Sequence, residues 1–450
     1  MWRAAAVEAL LARTTDTLSP DEAPELEAFT AGITAADLPA GSPVLLALPN
    51  GKALLVMFFA VLNAGLVPVP VPPGATAGRL LGTAHACGAA AVIAPRTHRL
   101  GDGPVYRIGC VELIRLPGTP RRHPAGSVII TTSGTSGIAT GCLHDIDRLL
   151  RNAARHADAV GQRAEDTVLV TLPMYFSYAL VAQCLAALVR GSRLVISGPP
   201  FTPRHYTRIL ARHDVTLSSL TPALVRRLLG ERTALPAVLR TLTVGGDQLG
   251  AELVPPLLQA IPGGELYLTY GLTEAGPRVS TLAAHAEPAR RHGSAGLPLP
   301  SVRTALRPGG IDEGSQELVV YTDTPLRGRV PSGSPLLPDG GIATGDLFHI
   351  DDDGYHFFRG RVVDSVTVNG EKVWLPSIRS VAAGLDGVRR AVTRVHRDGA
   401  DTHYDLEVYV DSPEPGQDVI YHRELSRHLL RSERPRAVIV EPYLEEGWHK

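Results

Sequence analysis

Short apolar strand segments alternate with helical segments along much of the chain, and this pattern limits the fold more than any other feature. The first stretch runs from Ser42 to about Pro95, where SPVLLALP is followed by the helical KALLVMFFAVLNAG and by further strands. The pattern resumes after Asp166 and continues to ELYLTYG, which ends at Gly271. Strands that alternate with helices form parallel sheets covered on both faces. The sequence therefore predicts an α/β fold with mostly parallel sheets.

The remaining third of the chain has a different pattern. Residues 290–360 are rich in Gly, Pro and Asp with short strands, which predicts a small β-rich subdomain. Further on, VRRAVTRVHR and THYDLEVYVDS read as antiparallel strands and precede an amphipathic helix. A chain of 450 residues exceeds one ordinary core. We expect a large N-terminal domain over 1–362 and a small, mobile α+β domain over 363–450, with a hinge near 363–364.

Charge and cysteine usage exclude several classes of function. The net charge of −1 gives no surface for a polyanion, so we expect no nucleic-acid partner. No apolar run is long enough to span a membrane, and the first residues lack the layout of a signal peptide. The four cysteines are widely spaced and show no metal or redox pairing. These features predict a cytoplasmic protein that does not bind membranes.

The segment VIITTSGTSGIATG, residues 128–141, is the strongest local signal for a ligand site. An apolar strand enters a loop in which glycines let backbone N–H groups converge and hydroxyls add donors, which suits a polyphosphate. It is not a Walker P-loop, because no Gly-Lys-Ser/Thr follows. The candidate phosphate-binding residues are Thr132, Ser133, Gly134, Thr135, Ser136 and Gly137.

The segment YLTYGLTEAGP, residues 267–277, is the second signal. A buried strand would deliver Tyr270, Gly271, Thr273 and Glu274 at its carboxyl end, where open α/β sheets bind ligands. Tyr270 could stack on a base, Thr273 could donate to a phosphate, and Glu274 could hold Mg²⁺, a cation that prefers oxygen ligands.

A third segment covers residues 341–373. Asp346 follows a glycine at a predicted strand end and could accept both hydroxyls of a ribose. Arg361 lies where the chain leaves the β-rich region and could reach a phosphate. The aspartates of 351–354 lack the alternation of a calcium-binding loop, and we interpret them as a solvated hairpin turn.

These three segments, in this order and spacing, resemble the motifs of the acyl-adenylate-forming superfamily, which comprises acyl- and aryl-CoA ligases, peptide-synthetase adenylation domains and luciferases. Weaker matches lie at LPMYFSYAL (172–180), TVGGDQL (243–249) and GSAGLPLP (293–300). The resemblance implies that the protein uses ATP and Mg²⁺ to activate a small carboxylic acid as acyl-AMP. It also implies transfer of the acyl group to a thiol of CoA or of a carrier protein.

The resemblance also implies roles for individual residues. Catalysis would involve Thr273, Glu274 and Lys450, with Glu274 as the magnesium ligand. Besides the phosphate loop, the nucleotide would contact Gly246, Asp247, Tyr270, Gly271, Thr273, Asp346 and Arg361. The acyl pocket would be lined by Tyr175, Phe176, Ser177, Gly245 and Gly271. Gly370 and Lys372 would serve the thiol step.

The chain departs from the family pattern at several positions. The usual Pro-Lys-Gly of the phosphate loop is replaced here by Ala139, Thr140 and Gly141, so the loop lysine is missing. Phe176-Ser177 stands where α-amino-acid adenylation domains have Phe-Asp, which argues against ordinary α-amino acids. The C-terminal catalytic lysine of the family normally follows a glycine directly, but here the last residues are EEGWHK.

Lysine is rare in this chain, because only Lys52, Lys372 and Lys450 stand among 44 basic residues. Because lysine and arginine are not interchangeable where a compact charge is needed, each remaining lysine is a candidate for function. Three alternatives to thiol transfer stay open from the sequence: transfer to an amine, activation of a small oxyacid such as nitrite, and a non-catalytic relic that binds a nucleotide or acyl ligand.

Overall fold

The computed structural model describes most of the chain. The described residues are 4–19, 25–95, 100, 103–132, 140–198, 201–231, 234–308, 316–331, 333, 336–362, 365–368, 371–398, 401–429 and 433–443. Two compact units are distinguished. The first comprises Met1–Thr304, Val320–Ala343 and Ile350–Phe357, and the second comprises Ala305–Val319, Thr344–His349 and Phe358–Lys450.

The helices begin and end where the sequence supplies local signals. The Thr76 hydroxyl accepts a hydrogen bond from the backbone N–H of Arg79 at the start of one helix, and Gly88 ends it in a left-handed conformation. The α-helices are α1 Ala4–Ala12, α2 Leu26–Thr34, α3 Lys52–Asn63, α4 Ala77–Cys87, α5 Ile146–Ala159, α6 Ser177–Ala179, α7 Ala186–Arg190, α8 Pro203–Arg212, α9 Pro222–Gly230, α10 Val254–Ala260, α11 Leu375–Ala383 and α12 Gln417–His428. A π-helical turn over Leu180–Leu185 joins α6 to α7.

The strands are short in the first unit and longer toward the C-terminus. They are β1 Thr14–Asp16, β2 Pro43–Leu46, β3 Val67–Pro70, β4 Ala91–Pro95, β5 Val105–Ile108, β6 Val111–Arg115, β7 Ser127–Thr132, β8 Thr140–Asp145, β9 Thr167–Val170, β10 Arg193–Ile196, β11 Leu217–Leu220, β12 Thr241–Gly245, β13 Glu265–Gly271, β14 Arg278–Ala283, β15 Leu297–Pro298, β16 Val302–Pro308, β17 Gln316–Thr322, β18 Gly328–Val330, β19 Ile342–Ile350, β20 His356–Arg361, β21 Ser365–Val368, β22 Glu371–Trp374, β23 Val388–Asp398, β24 Asp401–Val410 and β25 Val438–Pro442.

The largest sheet of the first unit has the order β1-β10-β9-β11-β12-β13-β14-β15. The first six strands in this order, β1, β10, β9, β11, β12 and β13, run parallel to one another. Strand β14 pairs antiparallel with β13, and β15 pairs antiparallel with β14 at the edge of the sheet. A second sheet has the order β3-β2-β4-β6-β5, and its first three strands are parallel. The α/β fold with mostly parallel sheets is therefore confirmed. Among the described helices, none has the length and apolar character that a membrane crossing requires.

The second unit has its own small core. Strand β24 pairs antiparallel with β23 and parallel with β25, and β21 forms a hairpin with β22. Their apolar faces join α11 and α12 in one cluster that includes Val373, Leu406 and Leu425, each with no exposed surface. The four-stranded sheet β16-β17-β19-β20 comes from the region predicted to be β-rich, and the division between the units falls within these strands. The predicted hinge at 363–364 lies outside the described residues, and that boundary stays a prediction.

Candidate active site

The turn that follows β13 carries the central candidate residues of the first unit. Strand β13 ends at Gly271, and Thr273–Ala275 then forms a single 3₁₀ turn. The backbone N–H of Leu326 donates to the Glu274 carbonyl at 2.9 Å, and the Thr324 hydroxyl donates to the Ala275 carbonyl at 2.9 Å. These bonds fix the turn at the carboxyl edge of the parallel strands, which is the ligand-binding edge of such sheets.

The Glu274 carboxylate is held by groups from two other strands. Nη2 of Arg329, on β18, lies 2.8 Å from Oε1 of Glu274. Arg329 pairs in register with Cys142 of β8, and Cys142 contributes a further contact to Glu274. Burial and the negative charge of Glu274 raise the pKa of the Cys142 thiol well above its usual value. Cys142 is therefore a neutral thiol beside the carboxylate.

Glu274 is suited to bind a magnesium ion. Its two oxygens can accept about four bonds, so contacts to Arg329 and Cys142 leave capacity for a cation. In the described part of the chain, no group of three or more His, Cys, Asp or Glu side chains could hold a metal by itself. Mg²⁺ does not require such a cage, because it binds through one or two carboxylates together with phosphates and water. A single oriented carboxylate beside a polyphosphate site fits this ion.

Thr273 connects the turn to the segment predicted to line the acyl pocket. Its Oγ1 lies 3.2 Å from Oγ of Ser177, the first residue of α6. The two residues that precede Ser177 are aromatic: the ring centroids of Tyr175 and Phe176 lie 4.5 Å apart, and both side chains are half-buried. The segment 172–180 and the turn Thr273–Ala275, which are nearly 100 residues apart in sequence, thus meet at the end of β13.

Two glycines in the same region allow very close backbone approach. A Cβ atom on Gly245 would lie 2.4 Å from Oγ1 of Thr269, and one on Gly271 would lie 2.4 Å from Nη2 of Arg278. No larger residue fits at either position without moving its neighbours. Gly246 follows Gly245 and has a φ of +90°, and the next residue, Asp247, is exposed. The predicted pocket residues of β12 and β13 are therefore brought together in the first unit.

Arg278 and Tyr178 are buried beside these glycines, and sequence reasoning did not identify either. Arg278 is 3% exposed, and its Nη1 donates to Oγ1 of Thr269 at 2.8 Å. The guanidinium carbon lies 4.7 Å from the ring centroid of Tyr178. The available sequence signal is an arginine at the start of a strand that has no other charged residue, shortly after Glu274, but arginine is too frequent in this chain for one of them to stand out.

The phosphate loop is framed by an antiparallel pair. Strands β7 and β8 pair from Ser127 opposite Asp145 to Thr132 opposite Thr140. Burial lowers the pKa of His144, on β8, to about 4, so this side chain is neutral at pH 7. The predicted phosphate-binding residues Ser133, Gly134, Thr135, Ser136 and Gly137 lie outside the described residues. Their roles stay predictions.

The ribose candidate belongs to the second unit. The expectation that Asp346 follows a strand end is wrong, because Asp346 lies in the middle of β19. Strand β19 continues to Ile350, and the apolar residues Leu347 and Phe348, which point to opposite faces of the strand, are both buried. The Asp346 side chain is 4% exposed, and its Oδ1 accepts a hydrogen bond of 2.8 Å from Nε of Arg361. The structure thus brings Asp346 and Arg361 together.

The candidate lysines are described only in part. The backbone of Lys372 lies in β22, opposite Thr367 of β21. Gly370 and Lys450 lie outside the described residues. Tyr270, the predicted base-stacking residue, is on β13 and half-buried.

Comparison with known proteins gives the class to which the fold and this site belong. The family described as AMP-binding enzyme matches residues 23–317. A feruloyl-CoA synthase from Amycolatopsis sp is 28% identical over 79% of this chain and 76% of its own length. A long-chain-fatty-acid–CoA ligase from Mycobacterium tuberculosis is 28% identical over 79% of this chain and 75% of its own length.

Solved structures agree with the fold. The o-succinylbenzoate CoA synthetase from Bacillus subtilis, solved with its acyl-adenylate intermediate, superposes with a TM-score of 0.79 at 17% identity and covers 98% of this chain and 95% of its own. The chain therefore belongs to the AMP-binding enzyme family, and the predicted family and fold are confirmed. The relatives are CoA ligases and synthetases, which confirms the predicted enzyme class, an AMP-forming acid–thiol ligase.

Proposed function

We propose that this protein activates a carboxylic acid with ATP and transfers the acyl group to a thiol. The observation that carries the proposal is the turn Thr273–Ala275, in which Thr273 contacts Ser177 of the acyl segment and Glu274 is oriented by Arg329. One turn thereby presents a hydroxyl and a carboxylate at the ligand-binding edge of the sheet. Family membership over residues 23–317 supports the same assignment.

The reaction has two steps, formation of acyl-AMP and transfer of the acyl group to the thiol. A carboxylate oxygen of the acid attacks the α-phosphorus of ATP, a new P–O bond forms, and the bond to the bridging oxygen breaks with release of pyrophosphate. A thiolate then attacks the acyl carbon, a C–S bond forms, and AMP leaves with the electron pair of the broken C–O bond. Phosphoryl chemistry of this kind depends mainly on positioning and charge neutralisation.

Each first-unit residue has a defined task in the first step. Thr273 donates a hydrogen bond to the α-phosphate, and Ser177 orients its hydroxyl. Glu274 would hold Mg²⁺, and the ion would supply neutralisation of the phosphate charge. The neighbouring glycines let the substrate approach the backbone closely. The resemblance to the family motifs further assigns phosphate contacts to the loop Thr132–Gly137, the ribose to Asp346, and a bridge between the carboxylate and the phosphate to Lys450.

The acid is proposed to lack an α-ammonium group. Phe176 and Ser177 offer no carboxylate as a counter-charge, and Arg278 adds a positive charge to the same region. An unpaired buried ammonium is costly, and a nearby guanidinium increases that cost. We expect aryl or acyl acids to be activated in preference to the protein α-amino acids.

CoA is the first thiol acceptor to test, because the relatives named above are CoA ligases and synthetases. A carrier-protein thiol is the second. Gly370 and Lys372 are the residues proposed to serve this step. The cytoplasm is the proposed location, because none of the four cysteines, all in the described part of the chain, forms a disulfide.

The experiment that tests the proposal is exchange of labelled pyrophosphate into ATP across a broad panel of carboxylic acids, with and without Mg²⁺. Acid-dependent and Mg²⁺-dependent exchange is the expected result. Addition of CoA should then give a thioester and AMP in equal amounts. The absence of exchange with every acid would favour a non-catalytic relic, and exchange followed by amide formation would replace the thiol with an amine acceptor.

A further inference from the structure

Arg278 is a buried positive charge without an acidic partner among the described residues. It is 3% exposed, and no ion pair joins it to an aspartate or glutamate in the described ranges. The groups that influence its charge are the phenols of Tyr178 and Tyr270, not carboxylates. A guanidinium cannot lose its proton in a protein, so its burial has to be compensated by other means.

The contacts that Arg278 makes compensate only part of this burial. Its Nη1 donates to Thr269, and the ring of Tyr178 lies under the guanidinium carbon. Its Nε has no hydrogen-bond partner and is buried. The neighbouring His156 is itself kept neutral, because burial and the charge of Arg278 lower its pKa to about 3. Among the described residues, the groups recorded around the guanidinium are therefore hydroxyl and aromatic ones and not carboxylates.

The position of Arg278 points to the substrate. It lies opposite Gly271 in the β13–β14 pair, and its Nη2 fills the space that a side chain at Gly271 would occupy. The aromatic partner Tyr178 follows Ser177 directly, and its ring also borders Gly245. Arg278 thus borders Gly271, one of the residues predicted for the acyl pocket, and its contacts Thr269 and Tyr178 border Gly245, another of them. A buried charge that has no counter-charge among the described residues and borders a candidate pocket is a candidate for ligand recognition.

We propose that Arg278 recognises a second anionic group on the acid, so that the preferred substrate is a dicarboxylic acid activated at one carboxylate. The distal carboxylate accepts charge-assisted hydrogen bonds from the guanidinium. This inference rests on the proposed function, since it names the substrate class of the same site. The wall formed by Tyr178, Thr269 and Gly271 then surrounds the distal end of the acid.

The test compares aliphatic and aromatic dicarboxylic acids with their monomethyl esters in the pyrophosphate exchange assay. For the best pair, we expect kcat/KM of the wild-type protein to be at least about thirtyfold higher for the diacid, because a site that contains a buried polar group rejects ligands that leave it unpaired. In Arg278→Met the preference should fall to about one or reverse, and Arg278→Lys should retain part of it.

Arg155→Met is the matched control. Arg155 is also a buried arginine, 8% exposed in its side chain, but it is paired with Asp323 at 2.6 Å and lies outside the candidate pocket. Its replacement should leave the diacid preference unchanged. A wild-type preference for the monoesters or for simple monocarboxylic acids, or an unchanged diacid preference in Arg278→Met, would overturn the proposal.

Failure of the proposed function can be distinguished from failure of the inference about Arg278. If no acid supports exchange, the function fails, and the inference is judged by binding alone. In that case at least one diacid of the panel should still raise the melting temperature of the wild-type protein and of Arg155→Met, but not that of Arg278→Met. Equal shifts for all three proteins, or no shift with any diacid, would contradict a role of Arg278 in recognition.

Discussion

The two units each carry a carboxylate paired with a more exposed arginine, but they build the pair differently. In the first unit, Glu274 is 15% exposed and Arg329 is 43% exposed, and the two residues lie 55 positions apart on separate elements. In the second, Asp346 is 4% exposed and Arg361 is 60% exposed, and both lie on strands of the same sheet, β19 and β20. Exposed arginines of this kind stabilise a fold little.

The difference between the pairs suggests different tasks. Glu274 lies in a short turn, where its carboxylate projects from the sheet edge and its charge can meet a cation. Asp346 lies within a strand whose backbone is already hydrogen-bonded, because the Asp346 N–H donates to Oγ1 of Thr344 and the Gly345 N–H donates to Glu317. Its oxygens are fixed in direction and suit hydrogen-bond donors such as ribose hydroxyls. We therefore expect loss of charge to matter most at Glu274 and loss of geometry to matter most at Asp346.

The largest effect is expected for Glu274→Ala. Removal of the carboxylate should lower the pyrophosphate exchange rate by about two to three orders of magnitude, the range for a lost charge-stabilising group. The loss should be accompanied by a higher requirement for Mg²⁺. Exchange at the wild-type rate in this variant would show that Glu274 takes no part in the mechanism.

Lys450→Ala tests whether a positive charge near the C-terminus serves the adenylation step. A lysine that bridges the attacking carboxylate and the phosphate serves only adenylation, so formation of acyl-AMP should slow by roughly a hundredfold. Transfer from pre-formed acyl-AMP to a thiol should be nearly unchanged. The two half-reactions are measured separately. Equal damage to both would indicate misfolding, and damage to neither would leave Lys372 as the candidate cation.

The sequence predicted the fold well because the signals for it are local. Alternation of strands and helices requires only neighbouring residues, and the segment 267–277 carries its own turn, so Thr273 and Glu274 could be named as candidates from the sequence. Arg329 could not be found in this way. Its proximity to Glu274 arises because β18 adds to β8, a pairing between segments almost 190 residues apart, and no local pattern encodes it.

Arg278 and Asp346 show two further limits of sequence reasoning. Whether an arginine is buried without an acid depends on every element packed around it, so no property of the β14 sequence alone identifies Arg278. For Asp346, a glycine before a polar residue suggested a strand end, but β19 continues because pairing with its neighbouring strands outweighs the local break. Both features depend on tertiary structure.

Asp346→Asn should have an intermediate effect. The amide keeps the shape of the side chain but replaces one acceptor with a donor, so we expect KM for ATP to rise about tenfold, the scale of one hydrogen bond to a charged group. The change in kcat should be small. Asp339→Asn is the control, because Asp339 also accepts a hydrogen bond, from Tyr321 at 2.7 Å, but is not a site candidate. Equal effects in both variants would contradict a ribose role for Asp346.

The smallest effect is expected for Arg329→Met. The arginine is 43% exposed, so its loss should change the free energy of unfolding by no more than about 1 kcal/mol. Because the guanidinium occupies one oxygen of Glu274, its removal should lower the half-saturating Mg²⁺ concentration about threefold. The rate of exchange should also fall a few fold, since the carboxylate is then less firmly oriented.

Arg327→Met is the matched control for that variant. Arg327 is a nearby residue, and it is paired with Asp145 instead of Glu274. Its loss should leave the Mg²⁺ dependence unchanged. A loss of a hundredfold or more in Arg329→Met, with the Mg²⁺ dependence intact, would contradict a purely orienting role. It would mean that Arg329 contacts the phosphates directly and replaces the lysine that is missing from the phosphate loop, and the two arginine–carboxylate pairs would then differ in their chemistry as well as in their position.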